Sequence, residues 1–251
     1  MKIVQPYAKI MEPDLLAGSL SRIEYAARVS HRSEENASDS PEKFIRAVVL
    51  QHGDWSVTEH VSASVEFLVD RGITHEIVRH RLAAYTQEST RFVNYAKKMP
   101  PTFIYPIVET KCPYCSSGIE PSAMRIATDG GSRWYHHPGG EQVGLAVCQY
   151  DGDWLDSIDT VERKYKNLLE KGWRPQEARS VFPNALSSKI IVTYNLRVWR
   201  HFFLMRTSKE AHPQMRQVVI PLLAEFQRLV PVLYEDIVPE SRQVDNIAKG
   251  Q

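Results

Sequence analysis

What this sequence has little of bounds it first. Three cysteines occur in 251 residues, Cys112, Cys115 and Cys148, an odd number that suits a reducing compartment better than a secreted disulfide scaffold. No apolar run approaches the roughly 18 residues of a membrane helix, and the opening MKIVQPYAKI lacks a signal-peptide pattern, so a cytoplasmic protein with no membrane partner is expected. Charge of one sign is not in excess. The 31 Lys and Arg face 30 Asp and Glu, which excludes the global basic field that nucleic-acid binders rely on, and no nucleic-acid partner is expected. There is no GxGxxG fingerprint, so any dinucleotide would not sit in a Rossmann site. Internal repeats are absent too, and the length suits one large domain, 1–251, with a substantial core.

The positive charge that is present is local. It is densest in RGITHEIVRHRLAAYTQESTRFVNY, Arg71 to Tyr95, around Arg79-His80-Arg81. Ile73, Ile77, Val78 and Leu82 recur at helical spacing, which predicts an amphipathic helix from Ile73 to about Ala83 with Thr74 as N-cap. The basic triplet then ends that helix, where its dipole favours cations. Consecutive helical residues fan widely, so one of the three should point inward, where an unpaired guanidinium is costly and an anionic partner is wanted. The following YTQESTR, with no Gly or Pro, reads as a polar loop suited to a phosphate and a base edge.

A second basic segment is NLRVWRHFFLMR, Asn195 to Arg206. On a helical wheel Arg197, Arg200 and His201 fall together and Asn195 and Arg206 lie nearly opposite, giving two polar faces. Val198, Trp199, Phe202, Phe203 and Met205 between them read as core. Two polar faces on so apolar a helix suggest that it lies between two ligands or subunits.

Elsewhere the pattern predicts a strand over Lys2–Ile10. A helix over Asp14–Val29 should bury Leu15, Leu16, Leu20, Ile23 and Ala27. After a polar loop, 30–40, a helix capped by Ser40-Pro41 should run to Leu50, before Gly53. Strands are predicted at Ser62–Val69, around Pro100–Val108 and at Ser187–Tyr194, and helices at Asp153–Gly172, near Pro175–Arg179 and from Glu210 to Leu233. Residues 109–147, rich in Gly, Pro and Ser, read as an insertion. Its Cys112-x-x-Cys115 with His136-His137, and Cys148 nearby, could supply tetrahedral zinc ligands. One C-x-x-C with a distant His pair is a weak pattern, and the expectation is a surface loop with reduced cysteines and no metal.

RHRLAAYTQESTRF resembles the signature of flavin-dependent thymidylate synthases, usually written RHRxxSxNExSxR. Arg79, His80, Arg81, Ser89 and Arg91 match it, while Ala84 replaces the first Ser, Thr86 the Asn and Gln87 the Glu. The likeness extends to Ser56 and Glu59 of a GHxSxxEH-like element, where Asp54 stands at a common His. It also includes Arg179 in QEARSVFP, Asn195 to Arg206, and Glu210 to Arg216. It implies an α+β fold, a central mostly antiparallel sheet packed by helices, in a homotetramer with sites at subunit interfaces. The reaction implied is reductive methylation of dUMP to dTMP, with methylenetetrahydrofolate giving the carbon and NADPH reducing FAD.

The residues that the resemblance assigns to flavin are Ser56, Glu59, Arg79, His80, Arg81, Gln87, Asn195, Arg197 and His201, the last at a position often occupied by Asn. To the nucleotide it assigns Glu76, Arg79, Gln87, Glu88, Ser89, Thr90, Arg91, Arg179 and Arg206. Arg91 and Arg179 would hold the phosphate, and Arg206 would stabilise negative charge developing on the pyrimidine, as the catalytic residue. Ser89 is a contact, not a nucleophile. No cysteine lies in a site segment, against the cysteine chemistry of the unrelated folate-only synthase. Two further readings stay open on the residues alone. One is the same scaffold acting on a different or modified pyrimidine nucleotide, motivated by Ala84, Thr86, Gln87 and the insertion. The other is a non-enzymatic nucleotide or RNA-binding module using Tyr85, Phe92 and Tyr95.

Overall fold

A computed structural model describes residues 2–37, 40–97, 99–106, 125–129, 132–136 and 149–239. The expected first strand is two, β1 (Lys2–Val4) and β2 (Tyr7–Ile10), in different sheets, because Pro6 between them has no N–H for a ladder. The expected helix to Val29 is also two, α1 (Pro13–Ala17) and α2 (Leu20–Val29). The Gly18 N–H closes the first on Asp14 O at 3.0 Å, and the break turns Leu15 outward while Leu16, Leu20, Ile23 and Ala27 stay buried. In α3 (Glu42–Ile45) the N-cap is Pro41 rather than Ser40, and a wider π turn, Arg46–Gln51, continues it. Gly53 follows at φ 83°, a conformation that glycine takes without steric cost.

A 3-10 turn, Trp55–His60, leads into β3 (Ser62–Asp70), whose alternating burial is that of the expected strand. Next come α4 (Arg71–Ile77), β4 (Ala84–Gln87) and β5 (Thr102–Ile104). Within the expected insertion lies an antiparallel hairpin, β6 (Arg125–Asp129) and β7 (Ser132–His136). Cys112, Cys115, His137 and Cys148 fall outside the described residues, so the zinc pattern is not described. Among the described residues no three His, Cys, Asp or Glu gather as a metal site, and no helix is long and apolar enough to cross a membrane. The chain continues through α5 (Gln149–Glu170), α6 (Pro175–Ala178), β8 (Ser187–Asn195), α7 (Leu196–Arg206), α8 (Pro213–Leu229) and α9 (Pro231–Tyr234). Strands and helices are intermixed as an α+β chain.

The chain packs as two compact units. One comprises Met1–Pro6, Leu68–Glu76 and Gln87–Lys189. In it β1 pairs with β5 in parallel, Lys2 opposite Thr102, an exception to the expected mostly antiparallel pairing. Here α5 buries Ile158 against Phe103 and Leu186, and Tyr165 against Tyr95 and Ala178, with Phe182 stacked on Tyr165 at 4.5 Å.

The other unit comprises Tyr7–Phe67, Ile77–Thr86 and Ile190–Gln251. Most of a four-stranded sheet, in the order β2-β3-β8-β4, belongs to it. Its core is aromatic, with Trp199, Phe202 and Phe203 from α7, Phe67 from β3, Phe226 from α8 and Tyr234 from α9, all fully buried. The polar ends are satisfied: Trp199 Nε1 donates to Ala63 O at 3.0 Å and the Tyr234 hydroxyl to Leu196 O at 2.9 Å. That packing fixes the position of α7, which carries much of the candidate site.

Candidate active site

The basic triplet sits in a turn, not in a helix. At the start of α4 the Asp70 carboxylate accepts from the Ile73 N–H at 2.8 Å, the role expected of Thr74, whose own hydroxyl donates to Arg71 O inside the helix. The helix stops at Ile77, where the His80 N–H closes a turn on Ile77 O at 3.1 Å, and Leu82 adopts φ 65°. Val78 and Leu82, expected inward, are therefore outside, Leu82 at 87% exposure. One of the three basic residues does point inward, as expected, and it is His80, 7% exposed. A neutral imidazole is far cheaper to bury than a guanidinium.

Two phenols determine this turn. Tyr85, expected in a loop, lies on β4 and donates its hydroxyl to His80 O. The Tyr194 hydroxyl from β8 lies 2.9 Å from that of Tyr85 and 3.3 Å from Ile77 O. Together they serve carbonyls that the helix end leaves without partners. Burial raises the acidity constants of both phenols above the ordinary range, so both remain protonated donors.

Around the turn is a cavity of about 670 Å³, within the range of small-molecule sites. Its polar lining is Glu59, Arg79, His80, Arg81, Asn195, Arg197, His201 and Arg206, and its apolar lining is Leu82, Val198 and Met205. The expected two faces of α7 are thus revised. Asn195 is an N-cap with extended backbone, its side chain accepting from the Val198 N–H at 2.9 Å, so the helical wheel does not place it. It lines the same cavity as Arg197, His201 and Arg206. Arg200 belongs elsewhere, donating to Asp236 and to Leu233 O and lying 4.3 Å over the Trp55 ring. Met205 is half exposed and Leu196 takes a core place the wheel had not given it.

Four guanidiniums face this cavity against a single carboxylate, Glu59, whose Oε1 accepts from Arg197 Nη1 at 2.6 Å. Both partners are exposed, so that pair adds little stability, and the cavity keeps a cationic surplus. Arg206 Nε donates to His80 Nε2 at 2.9 Å. Burial, then the charge of Arg206, then His201, lower the His80 pKa from 6.5 to about 4, so the ring is neutral near pH 7. Ser56 is exposed on the 3-10 turn that carries Glu59, but does not line the cavity.

The remaining expected site residues form a second group, in the other unit. Gln87 Nε2 donates to Thr74 Oγ1 and to Ser188 Oγ, each at 3.0 Å. The Glu88 carboxylate accepts from the Tyr95 hydroxyl at 2.9 Å, and its N–H donates to Lys189 O at 2.8 Å. Thr90, buried, accepts from Arg179 Nη1 at 2.9 Å across 89 positions of sequence. Ser89 Oγ accepts from the Arg91 N–H, and Arg91, exposed, lies over Phe92. Glu76 is half-buried on α4. The sequence reading missed the groups that hold these residues, Thr74, Ser188, Tyr85 and Tyr194. Only the β-branched and aromatic content of AYTQ hinted that this segment is a strand.

Comparison with known proteins fits this arrangement. The family model described as thymidylate synthase complementing protein matches residues 14–232. A flavin-dependent thymidylate synthase of Mycobacterium sp. (strain KMS) is 30% identical over 226 residues, covering 87% of this chain and 80% of that one. Another, of Corynebacterium efficiens, is 28% identical over 239 residues, covering 93% and 83%. Among solved structures, a UMP/dUMP methylase of Streptomyces cacaoi bound with 5-Br dUMP superposes with a TM-score of 0.65 at 19% identity, covering 94% of this chain and 96% of that one. The same methylase bound with 5-Br UMP gives 0.63 at 21% identity, covering 94% and 95%. With both the α+β fold and most of its length matched, the chain belongs to the family of flavin-dependent thymidylate synthases.

Proposed function

We infer that this protein methylates dUMP to dTMP reductively, with FAD bound in the arginine-lined cavity and methylenetetrahydrofolate and NADPH as co-substrates. The observation that carries the reading is the cavity's cationic surplus, four arginines against Glu59, beside an Arg206 held by a neutral imidazole. The donor set fits a flavin dinucleotide: guanidinium forks suit its diphosphate, and Leu82, Val198 and Met205 offer an apolar face to a ring. Arg79, His80, Arg81, Asn195, Arg197, His201 and Glu59 would hold it, with Ser56 and Gln87 assigned by the family motif. When bound, the flavin supplies the hydride that completes the new methyl group. The chain's own residues bind and polarise. Arg206 stabilises negative charge as carbon 5 of the pyrimidine becomes nucleophilic. Arg79 is shared with the nucleotide, which Glu76, Gln87, Glu88, Ser89 and Thr90 contact while Arg91 and Arg179 take the phosphate.

The chain works in this reading as a single cytoplasmic domain, with 109–147 inserted, assembled as a homotetramer with sites at subunit interfaces. The test is a visible spectrum of the purified protein, followed without oxygen as NADPH is added with and without dUMP. A flavin band that bleaches faster with dUMP is expected. No band even after FAD is added would overturn the reading and favour a nucleotide-binding module. A second substrate reading has its own observation. Gln87, where the motif has Glu, spends its amide on Thr74 and Ser188, so a charge that would read the nucleotide is absent. Activity with UMP equal to that with dUMP would favour this broader specificity.

A further inference from the structure

Arg206 is the last residue of α7, so its side chain starts where the helix no longer restrains it. Its Nε carries one hydrogen, in the plane of the guanidinium, and that hydrogen goes to His80 Nε2 at 2.9 Å. A bond at Nε sets the plane of the whole group and leaves the Nη edge directed the other way. The acceptor is itself immobile. The His80 ring is 4.9 Å from Phe202 edge to face and 6.4 Å from Tyr194. Its N–H donates to Ile77 O, and its C=O takes the Tyr85 hydroxyl. Side chain and main chain are both held, in a residue only 7% exposed.

We propose that His80 is the positioning residue for Arg206, its imidazole acting as the hydrogen-bond acceptor that fixes the guanidinium plane before the nucleotide arrives. This rests on the synthase reading, in which Arg206 meets the pyrimidine. Preorganisation of this kind matters because a misplacement of about 1 Å in a reacting group can cost on the order of 100-fold in rate. The role requires a neutral ring. The groups facing it are Arg206 and His201 from α7, Tyr194 from β8 and Tyr85 from β4, with Arg79 and Arg81 beside it in the turn, and none is a carboxylate. A proton on Nε2 would replace the acceptor with a donor and set two cations against each other.

The experiment compares His80→Gln with His80→Leu. A glutamine can present an amide oxygen to Arg206 Nε; a leucine cannot. Turnover of dUMP, flavin content and the nitrogen-15 resonance of the Arg206 Nε–H are measured in each. For His80→Leu the expected result is a fall in kcat of roughly 100-fold with flavin retained and the Nε–H signal exchanged away. His80→Gln should recover most of both. Equal loss in the two variants, or a protected Nε–H in His80→Leu, overturns the proposal. Should His80→Leu not fold, Tyr85→Phe frees the His80 carbonyl, and a fall of about 5-fold in kcat, equivalent to one hydrogen bond, is expected. Unchanged turnover in that variant overturns the proposal. If the wild type itself does not turn over dUMP, the synthase reading has failed, and the Nε–H signal still decides the geometry.

Discussion

The two groups of candidate residues handle charge in opposite ways. The cavity lined by Arg79, Arg81, Arg197 and Arg206 holds cations in excess of its one carboxylate. Around Gln87 to Thr90, by contrast, polar groups answer one another: Gln87 with Thr74 and Ser188, Glu88 with Tyr95, Thr90 with Arg179. An unbalanced site gains most when an anion arrives, because the charge already gathered is then neutralised. A balanced one gains little charge on binding but gives the chain a fixed shape. The first group should therefore be sensitive in ligand binding and catalysis, the second in stability and geometry.

Substitutions can break this division or sharpen it. The largest effect is expected from Arg206→Ala, which should retain flavin yet lower kcat by about 100- to 1000-fold, the range seen when a preorganised electrostatic group is removed. Turnover near wild type would refute its role. Arg79→Ala should weaken both flavin and dUMP, each by roughly 10-fold or more, as loss of a charge-assisted bond of about 1.5–3 kcal/mol requires. Titration calorimetry with the two ligands separately would show it, and a loss confined to one ligand would contradict the shared assignment.

Gln87→Leu should instead cost stability, about 1–3 kcal/mol for buried hydroxyls left without a partner, with flavin affinity unchanged. Denaturant unfolding measures the first and absorbance titration the second. A variant as stable as wild type but unable to bind flavin would erase the contrast between the groups. Thr90→Val, which takes away the acceptor of Arg179, should raise the KM for dUMP by about 5-fold, one hydrogen bond's worth, with kcat little changed. A fall in kcat at constant KM would argue that Arg179 acts in the chemistry.

The smallest effect concerns acid. His80 has a pKa of about 4 in the fold against 6.5 as the ordinary value, so between these pH values the unfolded chain holds more protons than the folded one. Its contribution to stability is therefore complete above about pH 6.5 and falls away as pH drops toward 4. Unfolding of wild type and His80→Gln at pH 7, 5.5 and 4.5 should show a shallower decline in the variant. Parallel declines would mean that His80 titrates normally.

Much of the site was legible because its chemistry is written in consecutive residues. Arg79-His80-Arg81 and Asn195 to Arg206 fall around one cavity as their motifs implied. What sequence periodicity misplaced was the boundary of α4. It counted Val78 and Leu82 as inward because they kept helical spacing, but the chain leaves the helix at Ile77, where Tyr85 and Tyr194 offer better partners for its last carbonyls. Those partners come from other strands, and no local pattern announces them. The helical wheel failed at Asn195 for a related reason, since a cap lies outside the period that it assumes. Leu16, Leu20, Ile23 and Ala27 were read correctly because a core face needs only local periodicity, while Leu15 failed at the Gly18 break.

The pairing of β1 with β5 bears on how the chain is made. Lys2 finds its partner at Thr102, so the strand that leaves the ribosome first waits for a hundred residues of further synthesis. At about 5–20 residues per second that is on the order of 5–20 s, during which a short strand has an open edge. Closing so long a loop is slow, and it gains its ladder only once most of the intervening chain has been translated. Here the beginning of the chain belongs to the late stages of folding.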